Sequence, residues 1–293
     1  MWIILALISA IGQAGRLAVS KKLTDNFGAA ALNWLMLIFS VPFMLVFVAP
    51  KFVSVPLDNP KFLIATLVAM TGFTVGNILI IKATELAPLS ITVPFLAFTP
   101  VPAILIEFLV MGTLPTVYGA IGILLIAIGS YTLNASESKK GLLEPIKAIF
   151  KNKGSALALL AAFVFSIGGT IDKYGIDLSD PMSYLTTWLI FGLILNTTII
   201  IVGRKCKIWK NYKKIKKYFP NMVVMGFLFF ITIISNFMAN ALTNASYVLA
   251  VKRTSAFFSV LIGWLIFKEI KIRERAIGSL IMVAGVVLIS VLG

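Results

Sequence analysis

Ten apolar segments constrain the fold of this chain more than any other feature of its sequence. Each is close to or above the length of about 20 residues that an α-helix needs to cross the hydrocarbon core of a bilayer. The segments are residues 2–22, 28–49, 61–83, 88–111, 115–134, 153–175, 181–203, 219–243, 245–267 and 273–292. Charged residues make up only 13% of the chain, about half of their share in a soluble domain. The sequence therefore predicts an all-α integral membrane protein.

The cations are concentrated between the apolar segments. The formal net charge is +15, but short basic loops are what membrane orientation and anionic lipid head groups select. Residues 204–219 and 139–153 have apolar side chains at helical spacing among lysines, which is typical of amphipathic helices on a membrane surface. We therefore expect membrane lipids as partners and no nucleic acid.

Two residue types needed for much of enzyme chemistry are scarce. The chain has no histidine and a single cysteine, Cys206. Imidazole catalysis, histidine metal ligation and thiolate metal sites are therefore excluded. We expect no enzymatic activity, no cofactor and no metal. An intramembrane enzyme that modifies lipids is the least favoured alternative.

The two halves of the chain resemble each other. Residues 121–129 match residues 277–285 in glycine position and hydropathy, and Ser20-Lys21 has its counterpart in Asp172-Lys173. Each half has five segments, an odd number, so the second half must enter the membrane in the opposite orientation. We predict ten transmembrane helices as two inverted five-helix repeats, 1–135 and 153–293, joined by a basic amphipathic connector, 136–152. Inverted repeats are typical of alternating-access transporters with a substrate site near the membrane midplane.

The residues around these glycines carry a family resemblance. The second copy of the pattern consists of Ser255, Ser259, Phe267, Lys268, Glu269, Gly278 and Gly285, and the first of Thr99, Pro100, Pro102, Gly112, Thr113, Gly122 and Gly129. Over its whole length the chain resembles the drug/metabolite transporter (DMT) superfamily, specifically its ten-span EamA-type members. The first copy departs from the pattern at Thr113, where the second has Glu269. The resemblance implies a secondary transporter with cytoplasmic termini, whereas the positive-inside rule, which we follow, places both termini outside.

Lys252 and Arg253 are the most informative charges. They lie inside the ninth segment, where a charge costs about 3 kcal/mol on insertion scales. An arginine fork beside a lysine point charge suits a phosphate or carboxylate group. The pair is similar to the one with which triose-phosphate and nucleotide-sugar translocators of the same superfamily bind the anionic part of their substrates. The alternative is that both residues extend to the interface, or pair with Glu107 or Asp172.

Polar residues in three other segments complete the predicted substrate site. Asn236 and Asn240 lie on one face of the eighth segment, and a stripe of amides cannot face lipid. Asn77 in the third segment and Gln13 with Arg16 in the first extend this set. The alternatives are hydrogen bonds between helices, and for Arg16 an extension to the interface.

Two acids are candidates for coupling transport to protons. Glu107 is the deepest acid of the first half, and Asp172 lies near the end of the sixth segment. A carboxyl group away from water binds a proton more readily. The alternatives are that Glu107 pairs with Arg16 and that Asp172 caps its segment at the interface. Pro94, Pro100 and Pro102 should kink or interrupt the fourth segment.

These observations together predict a carrier. We expect alternating-access transport of a small polar, anionic metabolite, with a counter-ion or proton as a further partner, across the cytoplasmic membrane of a prokaryote. The alternative is an exporter of amino acids or drug-like compounds by proton exchange. The glycines of the fifth and tenth segments should allow close helix packing within a half, or at the interface of a homodimer.

Overall fold

The computed structural model describes residues 1–48, 55–86, 95–135, 153–203, 213–258 and 272–293. The regular elements in these ranges are all α-helices, as the apolar segments predict. They are α1 Trp2–Phe27, α2 Ala29–Val48, α3 Pro60–Leu86, α4 Pro100–Met111, α5 Val117–Ala135, α6 Lys153–Asp177, α7 Pro181–Val202, α8 Lys213–Asn240, α9 Ala245–Lys252 and α10 Ile272–Leu292. Among the described residues, six helices are long and apolar enough to cross a membrane, namely α1, α2, α3, α6, α7 and α8. The protein is a multi-pass membrane protein.

Local sequence signals explain where several helices begin and end. Gly28, between α1 and α2, has a φ of 74°, and Gly112, after α4, has a φ of 69°. A side chain with a Cβ rarely adopts this left-handed region, so glycine is favoured at both turns. Asp180 caps α7 by accepting hydrogen bonds from the backbone N–H groups of Met182 and Ser183, with Pro181 at the first helical position.

The start of α8 differs from the prediction. The sequence predicts that the eighth segment begins at residue 219 and that residues 204–219 form a separate surface helix. Instead α8 begins at Lys213 and includes Pro220 in its interior. A proline is tolerated there because neighbouring groups in a membrane protein can satisfy the freed carbonyl. Residues 204–212 lie outside the described residues, as do the predicted connector 136–152, Pro94, and the segment from Ser259 to Glu269.

Helix packing follows a two-fold pattern that relates the halves. α1 packs along α8, and α6 packs along α3; α2 packs against α7, and α5 along α10. If each helix is replaced by its counterpart in the other half, the α1–α8 pair becomes the α6–α3 pair, and the α2–α7 and α5–α10 pairs stay the same. This is the contact pattern of two inverted five-helix repeats, as predicted.

Close approaches at glycine fix the register of this relation. A Cβ on Gly12 would lie 3.2 Å from the carbonyl oxygen of Leu228, and one on Gly72 would lie 3.5 Å from the Cα of Gly168. The offset in residue number between the repeats that relates Gly122 to Gly278 also relates Gly12 to Gly168 and Gly72 to Leu228. The same offset places Arg16, not Ser20, opposite Asp172. The predicted pairing of Ser20-Lys21 with Asp172-Lys173 is therefore wrong by one helical turn.

The glycines of α5 and α10 pack between the halves. A Cβ on Gly129 would lie 2.6 Å from the carbonyl oxygen of Gly278, and one on Gly285 would lie 2.7 Å from that of Gly122. The expectation of packing within a half is therefore wrong. α5 and α10 occupy equivalent positions in the two repeats, so their glycines meet across the boundary between the halves.

Candidate substrate site

The fourth segment of each repeat is interrupted at equivalent positions. In the first half, backbone N–H groups of Phe98 and Thr99 donate to the carbonyls of Phe95 and Leu96, and α4 starts only at Pro100. The interruption predicted from Pro100 and Pro102 is confirmed. In the second half the chain turns at Arg253 and Thr254, where the N–H of Thr254 donates to the carbonyl of Val251. Interrupted helices in corresponding positions are a general mark of a transporter binding site.

Arg253 joins the two interruptions. Its Nη1 atom lies 3.5 Å from the carbonyl oxygen of Leu96, and its side chain is only 6% exposed. Its Nε atom is buried without a hydrogen-bond partner among the described residues. The guanidinium group therefore has spare donors at the point where the two repeats meet.

Lys252 lies beside Arg253 and faces α8. Its Nζ atom donates to Oδ1 of Asn236 at 3.1 Å. Arg253, Arg16 and Asp172 all lie within electrostatic range of Lys252. The site predictions for Lys252, Arg253, Asn236, Arg16 and Asp172 thus meet in one place. We call Arg16, Asp172, Lys252 and Arg253 the charged cluster.

Asp172 is held by α7 and does not cap its helix at the interface. Its Oδ1 atom accepts a hydrogen bond of 2.7 Å from the hydroxyl of Tyr184. The indole N–H of Trp188 lies near the same carboxyl group but outside hydrogen-bond geometry. Lys173, the next residue, pairs instead with Asp177 at 2.6 Å. Asp172 therefore belongs to the interior, whereas Lys173 forms a partly exposed ion pair with Asp177.

Arg16 is buried among sulfur and aromatic groups and does not reach the interface. Its Nη1 atom lies 2.9 Å from Sδ of Met36, and its guanidinium carbon lies 5.8 Å from the centre of the Phe229 ring. Among the described residues, no carboxylate forms a salt bridge with Arg16, Lys252 or Arg253. The predicted alternative of a pair between Arg16 and Glu107 is wrong.

Glu107 occupies a different position from the one predicted. It is fully buried in α4 and accepts hydrogen bonds from the backbone N–H groups of Ala245, at 2.7 Å, and Ser246, at 3.1 Å. These groups are at the start of α9, whereas Lys252 is at its end, about 10 Å away along the helix axis. Glu107 is therefore outside the charged cluster.

The remaining predicted residues divide into two groups. Asn240 is buried one turn beyond Asn236, and its Oδ1 atom has no partner among the described residues. Gln13 is buried one turn before Arg16. Asn77, in contrast, donates to the carbonyl of Phe73 in its own helix at 2.9 Å. The observed hydrogen bond of Asn77 is therefore within its own helix, α3.

Sequence reasoning missed the residues of α7. Tyr184 could have been found, because Asp172 and Tyr184 are nearly equidistant from the turn that joins α6 and α7, and such residues face each other in a helical hairpin. The hydrogen bond from Nδ2 of Asn33 to Oδ1 of Asn196, at 2.8 Å, was also missed. It links α2 to α7 across the halves, and no local signal identifies that pairing.

The charge balance of the cluster is its main chemical property. With all four groups ionised, three cations face one carboxylate. Buried charges are costly unless they are paired. A site with spare guanidinium donors and uncompensated positive charge can bind an anionic group through charge-assisted hydrogen bonds.

Comparisons with known proteins agree with this architecture. A search of curated proteins gives no match. Among solved structures, 29 chains match. One, titled only "Crystal structure of protein", has a TM-score of 0.73 and 14% identity over 99% of this chain and 97% of that chain, which shows the shared fold alone. The model of the EamA-like transporter family matches residues 1–135 and 152–291. Since these two matches cover nearly the whole chain, one for each repeat, the chain belongs to the EamA-like transporter family of the DMT superfamily.

Proposed function

We propose that this protein carries a small anionic metabolite across the cytoplasmic membrane of a prokaryote by alternating access. Lys252 and Arg253 bind the anionic group, Arg16 adds positive charge, and Asn236 and Asn240 supply further polar contacts. The excess of buried cations where the two interrupted segments meet is the observation that carries this proposal. Membership of a transporter family is in keeping with the expectation of a protein that is not an enzyme.

The symmetric packing suggests how access alternates. α5 and α10 meet through glycines at the boundary of the halves, and α2 meets α7. Because these pairs are unchanged by exchange of the halves, rocking of one repeat against the other can preserve them. The charged cluster, with residues from both repeats, would then open to one side of the membrane or the other.

Thermal unfolding of the purified protein tests the choice of substrate class. We expect phosphate monoesters or carboxylates to raise the melting temperature by about 5 °C at concentrations well above Kd, because they bind the folded state alone. Glycerol 3-phosphate against glycerol, and succinate against succinamide, are matched pairs that differ in charge. Chloride at equal ionic strength controls for general salt effects. Stabilisation by the neutral members alone would contradict the proposal.

The alternative is export of amino acids or drug-like compounds by proton exchange. Asp172 favours it, because a buried carboxyl group is suited to bind and release a proton during the cycle. Under this alternative, Asp172→Asn abolishes flux driven by a pH gradient in proteoliposomes. Under the anion proposal, which we favour, the same substitution removes the negative charge of the cluster and strengthens anion binding.

The control for Asp172→Asn is Asp177→Asn. Asp177 is on the same helix but pairs with Lys173 at the surface. Asp177→Asn should change neither the pH dependence of transport nor the affinity for the anion. Loss of gradient-driven flux in Asp172→Asn alone, without tighter anion binding, would favour proton exchange.

A further inference from the structure

The start of α9 has an unusual cap. Its N-cap residue, Asn244, makes no side-chain hydrogen bond to the helix. The N–H groups of Ala245 and Ser246 donate instead to the two carboxyl oxygens of Glu107, at 2.7 and 3.1 Å. Glu107 belongs to α4, in the other repeat. A carboxylate at a helix N-terminus satisfies buried donors and also favours the helix dipole.

The other contacts of α9 are made by its side chains, including those of Lys252 and Arg253 at its far end. Residues 245–251 are all buried. The hydroxyl of Tyr247 accepts a hydrogen bond of 3.0 Å from the N–H of Thr116, and its ring stacks on that of Trp2 at a centroid distance of 6.1 Å. Apolar packing tolerates small axial shifts better than two short hydrogen bonds to backbone donors do. Glu107 therefore provides two short contacts to the backbone, which fix the first turn of α9 along the helix axis.

The opposite end of α9 carries Lys252 and Arg253. Helices are stiff over eight residues, so the axial position of the first turn determines the position of the last. Arg253 has little freedom of its own, because it is buried and sits in the turn that ends the helix. A shift of α9 would therefore move both cations relative to Arg16 and Asp172.

We propose that Glu107 is a positioning residue, which fixes α9 from the first repeat and thereby places Lys252 and Arg253 in the substrate site. This inference rests on the proposed role of the two cations. It gives Glu107 a role distinct from proton coupling, since both of its oxygens already accept backbone hydrogen bonds.

The electric field at position 252 provides a test that needs no substrate. Lys252→Cys is made in a Cys206→Ser background, so that the protein has one thiol. The thiol is labelled with anionic 2-sulfonatoethyl methanethiosulfonate and with neutral methyl methanethiosulfonate. Because both reagents react with the thiolate, the ratio of the two rates does not depend on the acidity of the thiol. With Glu107 intact, we expect the anionic reagent to react about tenfold faster, relative to its rate with free cysteine.

Glu107→Gln should lower this ratio several-fold, because α9 is no longer fixed and position 252 shifts away from Arg16, which acts on it more strongly than Asp172 does. The direction of the change is decisive. Loss of a negative charge alone would raise the preference for the anionic reagent. Glu85→Gln, which removes an exposed acid from the end of α3, is the matched control and should leave the ratio unchanged.

A second substitution separates capping from folding. In the Glu107→Gln protein, Asn244→Asp places a carboxylate at the N-cap of α9 itself, where the backbone is extended and suits a cap. We expect it to restore the ratio, although it adds a negative charge. An unchanged or raised ratio in Glu107→Gln, or no recovery with Asn244→Asp, would overturn the positioning role. A ratio near one with Glu107 intact would instead refute the proposed cation site.

Discussion

Arg253→Gln should reduce transport of the proposed anionic substrate by about 100-fold or more. Removing one partner of a buried charge pair costs at least about 2–5 kcal/mol, and each 1.4 kcal/mol is a factor of ten. Arg253 is buried, has spare donors and lies at the meeting point of the two interruptions. Lys252→Met should cost about tenfold, since Lys252 is a single point charge that is also bonded to Asn236. Uptake into proteoliposomes measures both effects.

Lys173→Met is the matched control for these variants. It also removes one positive charge from a helix, but Lys173 lies in a partly exposed ion pair with Asp177. We expect transport to change less than about twofold, because this pair lies outside the charged cluster and is open to solvent at Asp177. Arg253→Lys should retain part of the activity, because it keeps the charge and loses the fork. Equal losses in Lys173→Met and Arg253→Gln, with normal melting temperatures, would show that net charge and not the site matters.

Gly129→Ala should strongly destabilise the protein. The new Cβ would lie 2.6 Å from the carbonyl oxygen of Gly278 and 2.8 Å from the backbone nitrogen of Met282. Backbone atoms cannot rotate away as a side chain can, so α5 and α10 must separate. Overpacking of this kind costs about 1–3 kcal/mol and can cost more. We expect a lower melting temperature and a smaller yield of monodisperse protein by size-exclusion chromatography.

Gly72→Ala is the control for this substitution. It is also in a helix that packs against the other repeat, but its Cβ would be 3.5 Å from the nearest atom, Cα of Gly168. That is an ordinary van der Waals distance, and alanine favours a helix by about 1 kcal/mol over glycine. The melting temperature should therefore stay the same or rise. If both variants behave alike, the α5–α10 contact is looser than described.

The sequence predicts the architecture because the bilayer restricts it. The lengths of the apolar segments predict the ten spans, and the register of the glycines predicts the repeat. Pro100 and Pro102 predict the interruption before α4. The interruption at Arg253 and Thr254 has no proline or glycine to announce it. It could have been found only by carrying the first interruption across the repeat in the correct register.

The contacts of the acids could not be predicted in the same way. Whether Glu107 meets Arg16 or the start of α9 depends on how α4 crosses α9, which is decided by packing between the repeats. The contact between Asp172 and Tyr184 could have been predicted, because the short turn between α6 and α7 brings the two residues opposite each other. Contacts across a turn can be derived from spacing, and contacts across the repeat boundary cannot.

The short length of α9 has a consequence for the carrier between transport events. Its peptide dipoles add up to about half a negative charge at the end that bears Lys252 and Arg253, and cations there gain about 0.3–1 kcal/mol each. The backbone thus acts as a fixed counter-charge that is present without cargo. If the protein carries an anion as proposed, this counter-charge lowers the electrostatic cost of reorienting the empty site.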